Sequence, residues 1–308
     1  PYPVALEEAE RKILEQRAGA ELVRHPLAGE QQRAGAGTDG HRPFSRETPH
    51  RRDPTATLRR MPRVALLPLL ASHLGDLGRY PRYLWRLWRR PDRVRLRGVT
   101  FELDAETSPT LRRLLYSERY ERSESRCAAV ALSADDVVLE VGSGLGYLST
   151  ICALRLGSER VHTYEADPAL IPGIRRHHAR NGVAPAVHNA MLAGSTGSAP
   201  FFVAEHFFSS SASAPHPETP GLEVPTLDVR AEFARLRPTF VLMDIEGGEG
   251  DLVPLIDWSG VRKLAIELHP ELLGPEGMKA ILATLATAGF RESALLSGKR
   301  KRYFSKDP

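Results

Sequence analysis

Residues 137–150, VVLEVGSGLGYLST, are the main basis for the fold that we predict for this chain. Its first five residues form a nearly continuous apolar run, which is typical of a central strand in a parallel sheet. The glycines of G-S-G-L-G allow a tight turn, and the helix predicted at residues 145–156 offers free N–H groups at its N-terminus. The spacing fits neither the dinucleotide motif G-x-G-x-x-G nor a phosphate loop. A glycine loop of this kind does not by itself identify the ligand that it binds. It could also be a strand-to-helix turn that binds no ligand.

Apolar strands and helices alternate along the chain on both sides of this stretch. The predicted strands cover residues 95–103, 160–166, 186–189, 239–244 and 263–267, with a terminal strand pair after them. The predicted helices cover residues 110–116, 168–180 and 277–288. A strand, a crossover helix and a second strand in succession are typical of parallel sheets covered by helices on both faces. The sequence therefore predicts an α/β fold with a doubly wound, mostly parallel sheet.

The composition is that of a globular protein. Hydrophobic residues make up 42% and charged residues 26% of the 308 residues, which excludes a wholly disordered or fibrous chain. The apolar run at residues 64–71 is too short to span a bilayer and lies too deep in the chain for a signal peptide. Cys127 and Cys152 are the two cysteines, and they do not form a disulfide scaffold pattern. We therefore expect a cytoplasmic protein without a transmembrane segment.

The N-terminal part of the chain differs from the rest in charge. Residues 41–97 hold fifteen arginines, no lysine and four acidic residues, a net charge of +11, whereas the whole chain carries +4. We expect an N-terminal helix and flexible connector over residues 1–57, a basic helical cover or lid over 58–93, and the main domain over 94–308.

The cover contains RYLWRLWRR, residues 82–90, in which arginines alternate with aromatic residues. Such a segment could bind nucleic acid, an anionic membrane surface or an acidic substrate. We favour an ordinary amphipathic helix, because four apolar residues have helical spacing. The residues expected to pack on the main domain are Tyr83, Leu84, Leu87 and Trp88.

Two groups of acidic residues follow predicted strands. Glu165 ends the second strand, 19 residues after Gly146, where a carboxylate can accept hydrogen bonds from ribose hydroxyls. D-I-E-G-G-E, residues 244–249, follows an apolar strand, and ligands of open α/β sheets lie beyond such strand ends. Three carboxylates in six residues could raise one pKa, orient a substituted ammonium or hold a hard cation. Alternatively, these carboxylates bind no ligand and only stabilise the start of the following helix.

Taken together, these motifs resemble those of the FkbM-type S-adenosylmethionine-dependent methyltransferases. The matching segments are VVLEVGSGLGYLST, VHTYEADP, HNAML, VPTLDV, FVLMDIEGGEGDLV and LAIELHPELL. D-I-E-G-x-E is the most family-specific of them, and Y-E-x-x-E at Tyr120, Glu121 and Glu124 is similar to the lead-in of the family. The resemblance begins near residue 94 and leaves the first ninety or so residues unexplained. It implies a class I methyltransferase sheet, Rossmann-like, with a helical N-terminal extension in this chain.

The resemblance also implies roles for individual residues. The cofactor S-adenosyl-L-methionine would be bound by Glu140, Gly142, Ser143, Gly144, Glu165, Asn189 and Asp244. Of these, Glu140 and the glycines would line the methionine end, Glu165 the ribose and Asn189 the adenine. Substrate contacts are expected from Tyr120, Glu121 and Glu249.

His269, in E-L-H-P after the fifth predicted strand, is the preferred general base, since the unperturbed pKa of histidine is near neutrality. A structural histidine before Pro270 is the alternative. Asp244 is a second proton acceptor, and Glu246 would hold the substrate or a cation. A divalent metal bound by Asp244 and Glu246 is the less favoured version, and no Cys/His cluster has the spacing of a zinc site.

The expected function is O-methylation of a hydroxyl on a small metabolite, sugar or natural product. Methyl transfer from a sulfonium is an in-line displacement, so the protein mainly positions the reactants and removes a proton. The alternatives are an N-methyltransferase of a small amine, an RNA-binding protein and a non-catalytic protein of the same fold. We expect a small hydroxylated partner rather than nucleic acid, leave a homodimer open, and expect the polar loop at residues 207–221 to shape the substrate entrance.

Overall fold

The computed structural model describes residues 79–105, 107–202, 221–294 and 296–306. The expected N-terminal helix and connector at residues 1–57, most of the basic cover and most of the polar loop lie outside the described residues. Among the described helices, none is long and apolar enough to cross a bilayer.

The strands form three sheets in the described part of the chain. A hairpin consists of β1 (Arg93–Leu96) and β2 (Val99–Glu102). The main sheet consists of β3 (Val138–Val141), β4 (Val161–Glu165), β5 (Ala186–Asn189), β9 (Phe240–Met243), β10 (Lys263–Glu267), β11 (Arg291–Glu292) and β12 (Lys301–Ser305). A small sheet consists of β6 (Met191–Ala193), β7 (Gly197–Phe201) and β8 (Leu222–Asp228).

The helices connect these strands and cover the main sheet. They are α1 (Arg79–Arg89), α2 (Pro109–Tyr116), α3 (Arg122–Ala131), α4 (Tyr147–Leu156), α5 (Ile171–Arg180), α6 (Val229–Leu236), α7 (Glu249–Leu252) and α8 (Pro270–Thr287). Two short 3-10 turns lie at Ser158–Arg160 and Val253–Leu255. The last helix is longer than the predicted one, and Gly274 interrupts it with a left-handed φ of 65°.

The main sheet has the strand order β11-β12-β10-β9-β3-β4-β5. The five strands from β10 to β5 are parallel, and β12 runs antiparallel to both of its neighbours. The chain winds outward from β3 in both directions, first to β4 and β5 and later to β9 and β10. The predicted doubly wound, mostly parallel α/β sheet is thereby confirmed, and a crevice opens between the carboxyl ends of β3 and β9.

Alternate residues of the central strands bury their side chains in two layers of helices. Leu139 and Val241 face a core formed with α6, α7 and α8. Val138 and Leu242 face the opposite core, formed with α3 and α4. A strand that is buried on both faces must be apolar throughout, which explains the continuous apolar pattern that predicted β3. Both cysteines lie in the second core as free thiols.

A third core joins the hairpin, α2 and the start of α4, and α1 lies at its margin. The expectation that four apolar residues of α1 pack on the domain is correct only for Tyr83. Leu84, Leu87 and Trp88 are exposed instead. The docked side of the helix is set by Arg86, whose guanidinium donates to the Tyr116 carbonyl and the Glu118 carboxylate, at 2.8 and 3.0 Å.

Candidate active site

A cavity of about 290 Å³ opens at the carboxyl ends of the central strands, where the winding direction changes. Its walls come from the loops after β3, β4, β5 and β9, together with the segment before α3. Predicted site residues in its lining are Tyr120, Glu121, Gly142, Gly144, Glu165, Asp244 and Glu246. Seven of the residues that the sequence predicts for the site therefore line one cavity.

Gly142 allows the glycine loop to lie directly against the end of β9. Its φ is +87°, and a Cβ at this position would come within 1.9 Å of the carbonyl oxygen of Asp244. The Gly142 N–H donates to the Tyr164 carbonyl at 3.0 Å, and the Asp244 N–H donates to the Val141 carbonyl at 2.9 Å. These contacts leave no room for a side chain, so the position requires glycine.

Glu165 holds the glycine loop from the end of β4. Its Oε2 accepts hydrogen bonds from the N–H groups of Ser143 and Gly144, at 3.1 and 3.0 Å. Its Oε1 accepts from the Asp167 N–H at 3.0 Å. Burial raises the pKa of Glu165, and the three N–H donors oppose that rise. The carboxylate is therefore at the cavity wall and already oriented.

Glu140 and Asn189 lie behind the cavity rather than in its lining. Glu140 is 2% exposed and accepts from the Ser149 N–H at 3.2 Å and from the Thr163 hydroxyl. It faces a smaller cavity of about 50 Å³ beside α3, and burial raises its pKa to about 7. Asn189 donates its amide to the Glu165 and Ala166 carbonyls, at 2.9 and 3.1 Å, and so fixes the end of β4.

A cluster of four carboxyl groups surrounds His269 at the ends of β9 and β10. Nδ1 of His269 lies 3.3 Å from Oε1 of Glu249, and Nε2 lies 3.2 Å from Oε2 of Glu246. Nε2 is also 3.9 Å from Glu267, whose carboxyl shares a hydrogen bond with Asp244. Burial first, and then the charge of Asp244, raises the pKa of Glu267 to about 8, so the pair of carboxyl groups shares a proton at neutral pH.

The structure disfavours His269 as the general base. Burial opposes its charged form, but Glu249, Glu246 and Asp244 outweigh burial and raise its pKa to about 9. With both ring nitrogens directed at carboxylates, the imidazolium has no lone pair for a proton. By contrast, burial and the charge of Asp244 raise the pKa of Glu246 to about 7. Its left-handed φ of 51° places the carboxylate between His269 and the cavity.

The predicted substrate residues separate into two groups. Tyr120 and Glu121 line the cavity, and burial raises the pKa of Glu121 to about 8, so this carboxyl is protonated at neutral pH. Glu249 has no exposed surface and lines neither the large cavity nor the smaller one. Glu249 accepts from His269 and, at 3.4 Å, from the Ile245 N–H.

Sequence reasoning missed Glu267 and Lys301. Glu267 is the last residue of β10, two positions before His269, and it lines the smaller cavity together with Lys301. Lys301 lies opposite Glu267 in the antiparallel pair of β10 and β12, with Nζ 3.1 Å from Oε2 of Glu267, and it also pairs with Glu124. The position of Glu267 at the end of a predicted strand could have indicated it as a site residue. No local pattern could have indicated Lys301, because the pairing of β12 with β10 brings it there.

Asp244, Glu246 and His269 each offer a ligand atom, and these atoms lie within 4.8 Å of one another. Two carboxylates and an imidazole form a donor set that suits a divalent cation. Oδ1 of Asp244 is buried and has no hydrogen-bond partner in the described chain. Binding a cation would nevertheless require the imidazolium to lose a proton and its contact with Glu246.

Comparison with known proteins gives distant likenesses to methyltransferases. No protein-family model matches the chain. A stretch of 56 residues is 41% identical to the ribosomal RNA small subunit methyltransferase A of Rubrobacter xylanophilus, and it covers 18% of this chain and 21% of that protein. The chain thus matches about a fifth of the length of this curated relative.

Two solved structures illustrate the structural likeness. The ribosomal protein L11 methylase of Lactobacillus delbrueckii subsp. bulgaricus is 12% identical, with a TM-score of 0.34 over 60% of this chain and 77% of that one. The O-methyltransferase TomG of Streptomyces achromogenes is 14% identical, with a TM-score of 0.34 over 58% and 77%. Likenesses this distant do not indicate an activity or a substrate. By the order and direction of its own strands, the described chain has the class I methyltransferase fold.

Proposed function

We propose that this chain is an S-adenosylmethionine-dependent methyltransferase that methylates a hydroxyl group of a small molecule. The observation that carries the proposal is the meeting of two sets of residues at one cavity. On one side Glu165 orients the glycine loop, and on the other Asp244 and Glu246 face the same space. A turn without a ligand would not need a buried acid held by three N–H donors.

The chain offers a fitting cradle for the cofactor. Glu165 would hold the ribose hydroxyls, and the backbone of Gly142 and Gly144 would lie along the methionine end. Leu170 and Met191, in the same lining, would cover the adenine. When bound, S-adenosylmethionine supplies an activated methyl group, so the protein need only position the acceptor and remove its proton.

Glu246 is the proposed proton acceptor. A general base works best with a pKa near the operating pH, and the pKa of Glu246 is about 7. Asp244, in the same lining, would lie beside the hydroxyl that is methylated. His269 would remain an imidazolium and offset part of the negative charge of the cluster.

N-methylation of a small amine is the second candidate. Four carboxyl groups around one imidazole form a site that would also attract an ammonium group. The FkbM resemblance favours the hydroxyl, and its motifs support a catalytic unit over residues 94–308. The short match to an RNA methyltransferase is too small a part of that protein to support RNA as the substrate.

The test begins with calorimetric titration of S-adenosylhomocysteine into the wild type and Glu165→Ala. We expect one-to-one binding that Glu165→Ala weakens at least about tenfold. Glu276→Ala, at an exposed glutamate of α8, is the matched control and should bind like the wild type. No binding by a folded wild type would refute the enzyme proposal and favour a non-catalytic protein of this fold.

Acceptors are then screened with a methyl-labelled cofactor, comparing hydroxylated compounds with primary amines, each with Mg²⁺ and with a chelator. Transfer to hydroxyls that survives chelation supports the proposal. Transfer only to amines would replace it with the second candidate, and dependence on Mg²⁺ would support the metal version of the site.

A further inference from the structure

The outer face of α1 is apolar and exposed. Its exposed side chains are Tyr80 (67%), Leu84 (47%), Trp85 (54%), Leu87 (38%) and Trp88 (77%). At 100° per residue, these five positions cover one continuous side of the helix. Exposed apolar faces of this kind mark interaction sites in folded proteins.

The opposite side of α1 is fixed to the domain. Tyr83 packs on the core of the hairpin and α2. Arg86 contacts Glu118 at 3.0 Å, and Arg79 and Arg82 lie 3.8 Å from the same carboxylate. Rotating the helix to bury its apolar face would break these contacts, so the face is held outward.

The charged residues of the helix are all basic. Its sequence RYPRYLWRLWR contains four arginines and no acidic residue, and Arg90 follows directly. Arg82 and Arg89 border the apolar face beside Trp85, and the Arg89 guanidinium lies 5.6 Å from the centre of the Trp88 ring. Long arginine side chains at the border of an apolar face can reach polar headgroups while the face is buried.

We infer that this face of α1 binds the surface of an anionic lipid bilayer. Tryptophan and leucine on one face with arginine at its border are typical of helices that lie in the plane of the membrane interface. Eleven residues make a helix of about 16 Å, too short to cross a bilayer. The arginines complement anionic headgroups, and tryptophan rings favour the interfacial region.

RNA is a poorer fit to the same face. Arginines and aromatic rings could contact phosphates and bases, but Leu84 and Leu87 would gain nothing from such a partner. A bilayer interface buries the leucines and the aromatic rings together.

The first experiment measures co-sedimentation of the full chain with phosphatidylcholine vesicles, with and without phosphatidylglycerol. We expect binding to the anionic vesicles that weakens with added salt. The double variant Trp85→Asp/Trp88→Asp should partition at least about tenfold less, and Arg89→Gln/Arg90→Gln should also bind more weakly. Leu154→Asp, at an exposed leucine of α4, is the matched control and should bind like the wild type.

Tryptophan fluorescence gives an independent measurement, since Trp258 is buried while Trp85 and Trp88 are exposed. Anionic vesicles should shift the emission to the blue, and brominated lipids should quench it.

The inference is overturned if the folded wild type binds neither vesicle, or if the double tryptophan variant binds equally well. It is also overturned if, without vesicles, the face is already protected from an aqueous quencher by another part of the chain or by a second copy. If the chain bound RNA in a salt-sensitive way but did not bind vesicles, the partner of this face would be nucleic acid rather than lipid.

Discussion

Nδ1 of His269 lies 3.3 Å from Oε1 of Glu249, and the two side chains are 2% and 0% exposed. Because Nε2 of the same ring faces Glu246, His269 is a buried imidazolium between two carboxylates. Its contribution to the site is a fixed positive charge at the edge of the cavity. In the proposed reaction, proton transfer therefore falls to a carboxylate of the same cluster.

Replacing Glu249 with glutamine removes one of these charges while keeping a hydrogen-bond acceptor. We expect the pKa of His269 to fall from about 9 by at least about one unit. NMR titration of the ring resonances measures this change. If the His269 ring of the variant still titrated near 9, the charge of Glu249 would not be what raises its pKa.

The same interaction makes stability depend on pH. The pKa of His269 is raised from 6.5 to about 9, so its contribution is complete below 6.5 and is lost as the pH rises through about 9. Denaturant titrations should therefore show the free energy of unfolding falling across this interval. In Glu249→Gln the fall should be smaller, and an equal fall would contradict the assignment.

Glu246→Gln tests the proton acceptor. We expect kcat to decrease by about 100-fold or more with little change in KM, because a general base acts mainly in the transition state. In the wild type, activity should rise with pH through about 7, as Glu246 loses its proton, and the variant should lack this limb. Steady-state rates across pH check both statements, with Glu276→Gln as the control. An unchanged pH profile would point to Asp244 instead.

Gly142→Ala should disrupt the glycine loop. The added Cβ would lie 1.9 Å from the Asp244 carbonyl oxygen at a φ of +87°, so the loop or the end of β9 must move. We expect a loss of about 2 kcal/mol or more in the free energy of unfolding and loss of S-adenosylhomocysteine binding. Gly173→Ala is the matched control, because it lies inside α5 with open space around its Cβ and should stabilise the chain by up to about 1 kcal/mol. Equal stability of the two variants would contradict the close approach.

A buried ion pair at the other end of the sheet offers a further test. Asp136 has no exposed surface and accepts from the Lys263 ammonium at 2.8 Å and the Arg262 guanidinium at 2.9 Å. Asp136→Asn leaves the buried Lys263 ammonium without a compensating charge and should destabilise the chain by about 3 kcal/mol or more.

Its neighbour Asp135 is the matched control, since that carboxylate also contacts Arg262 but is 67% exposed. Asp135→Asn should change the free energy of unfolding by less than about 1 kcal/mol. Thermal melting of the two variants side by side distinguishes a buried from an exposed ion pair.

The parts of the fold that local sequence dictates could be predicted. The apolar run of β3, the glycines after it and Glu165 after β4 act within a single β-α-β unit, where spacing determines position. The sequence therefore led directly to the cavity and to seven of the residues that line it.

Contacts between distant segments could not be predicted in the same way. The spacing of α1 indicated an amphipathic helix, but which side docks depends on Glu118, far along the chain. The unperturbed pKa of histidine suggested a base at His269, whereas the hydrogen bond and charge of Glu249, with the charges of Glu246 and Asp244, outweigh burial and make that residue a cation. Lys301 reaches the cluster only because β12 pairs with β10.

The pairing of β12 has a consequence for how the chain is made. During synthesis β10 emerges well before β12, so one edge of the growing sheet stays unpaired while α8 and β11 are still being added. An open edge of buried apolar residues is a template for pairing with other chains. The nascent protein is therefore prone to aggregate in this interval, and slow translation between residues 268 and 300 would lengthen the exposure of the β10 edge.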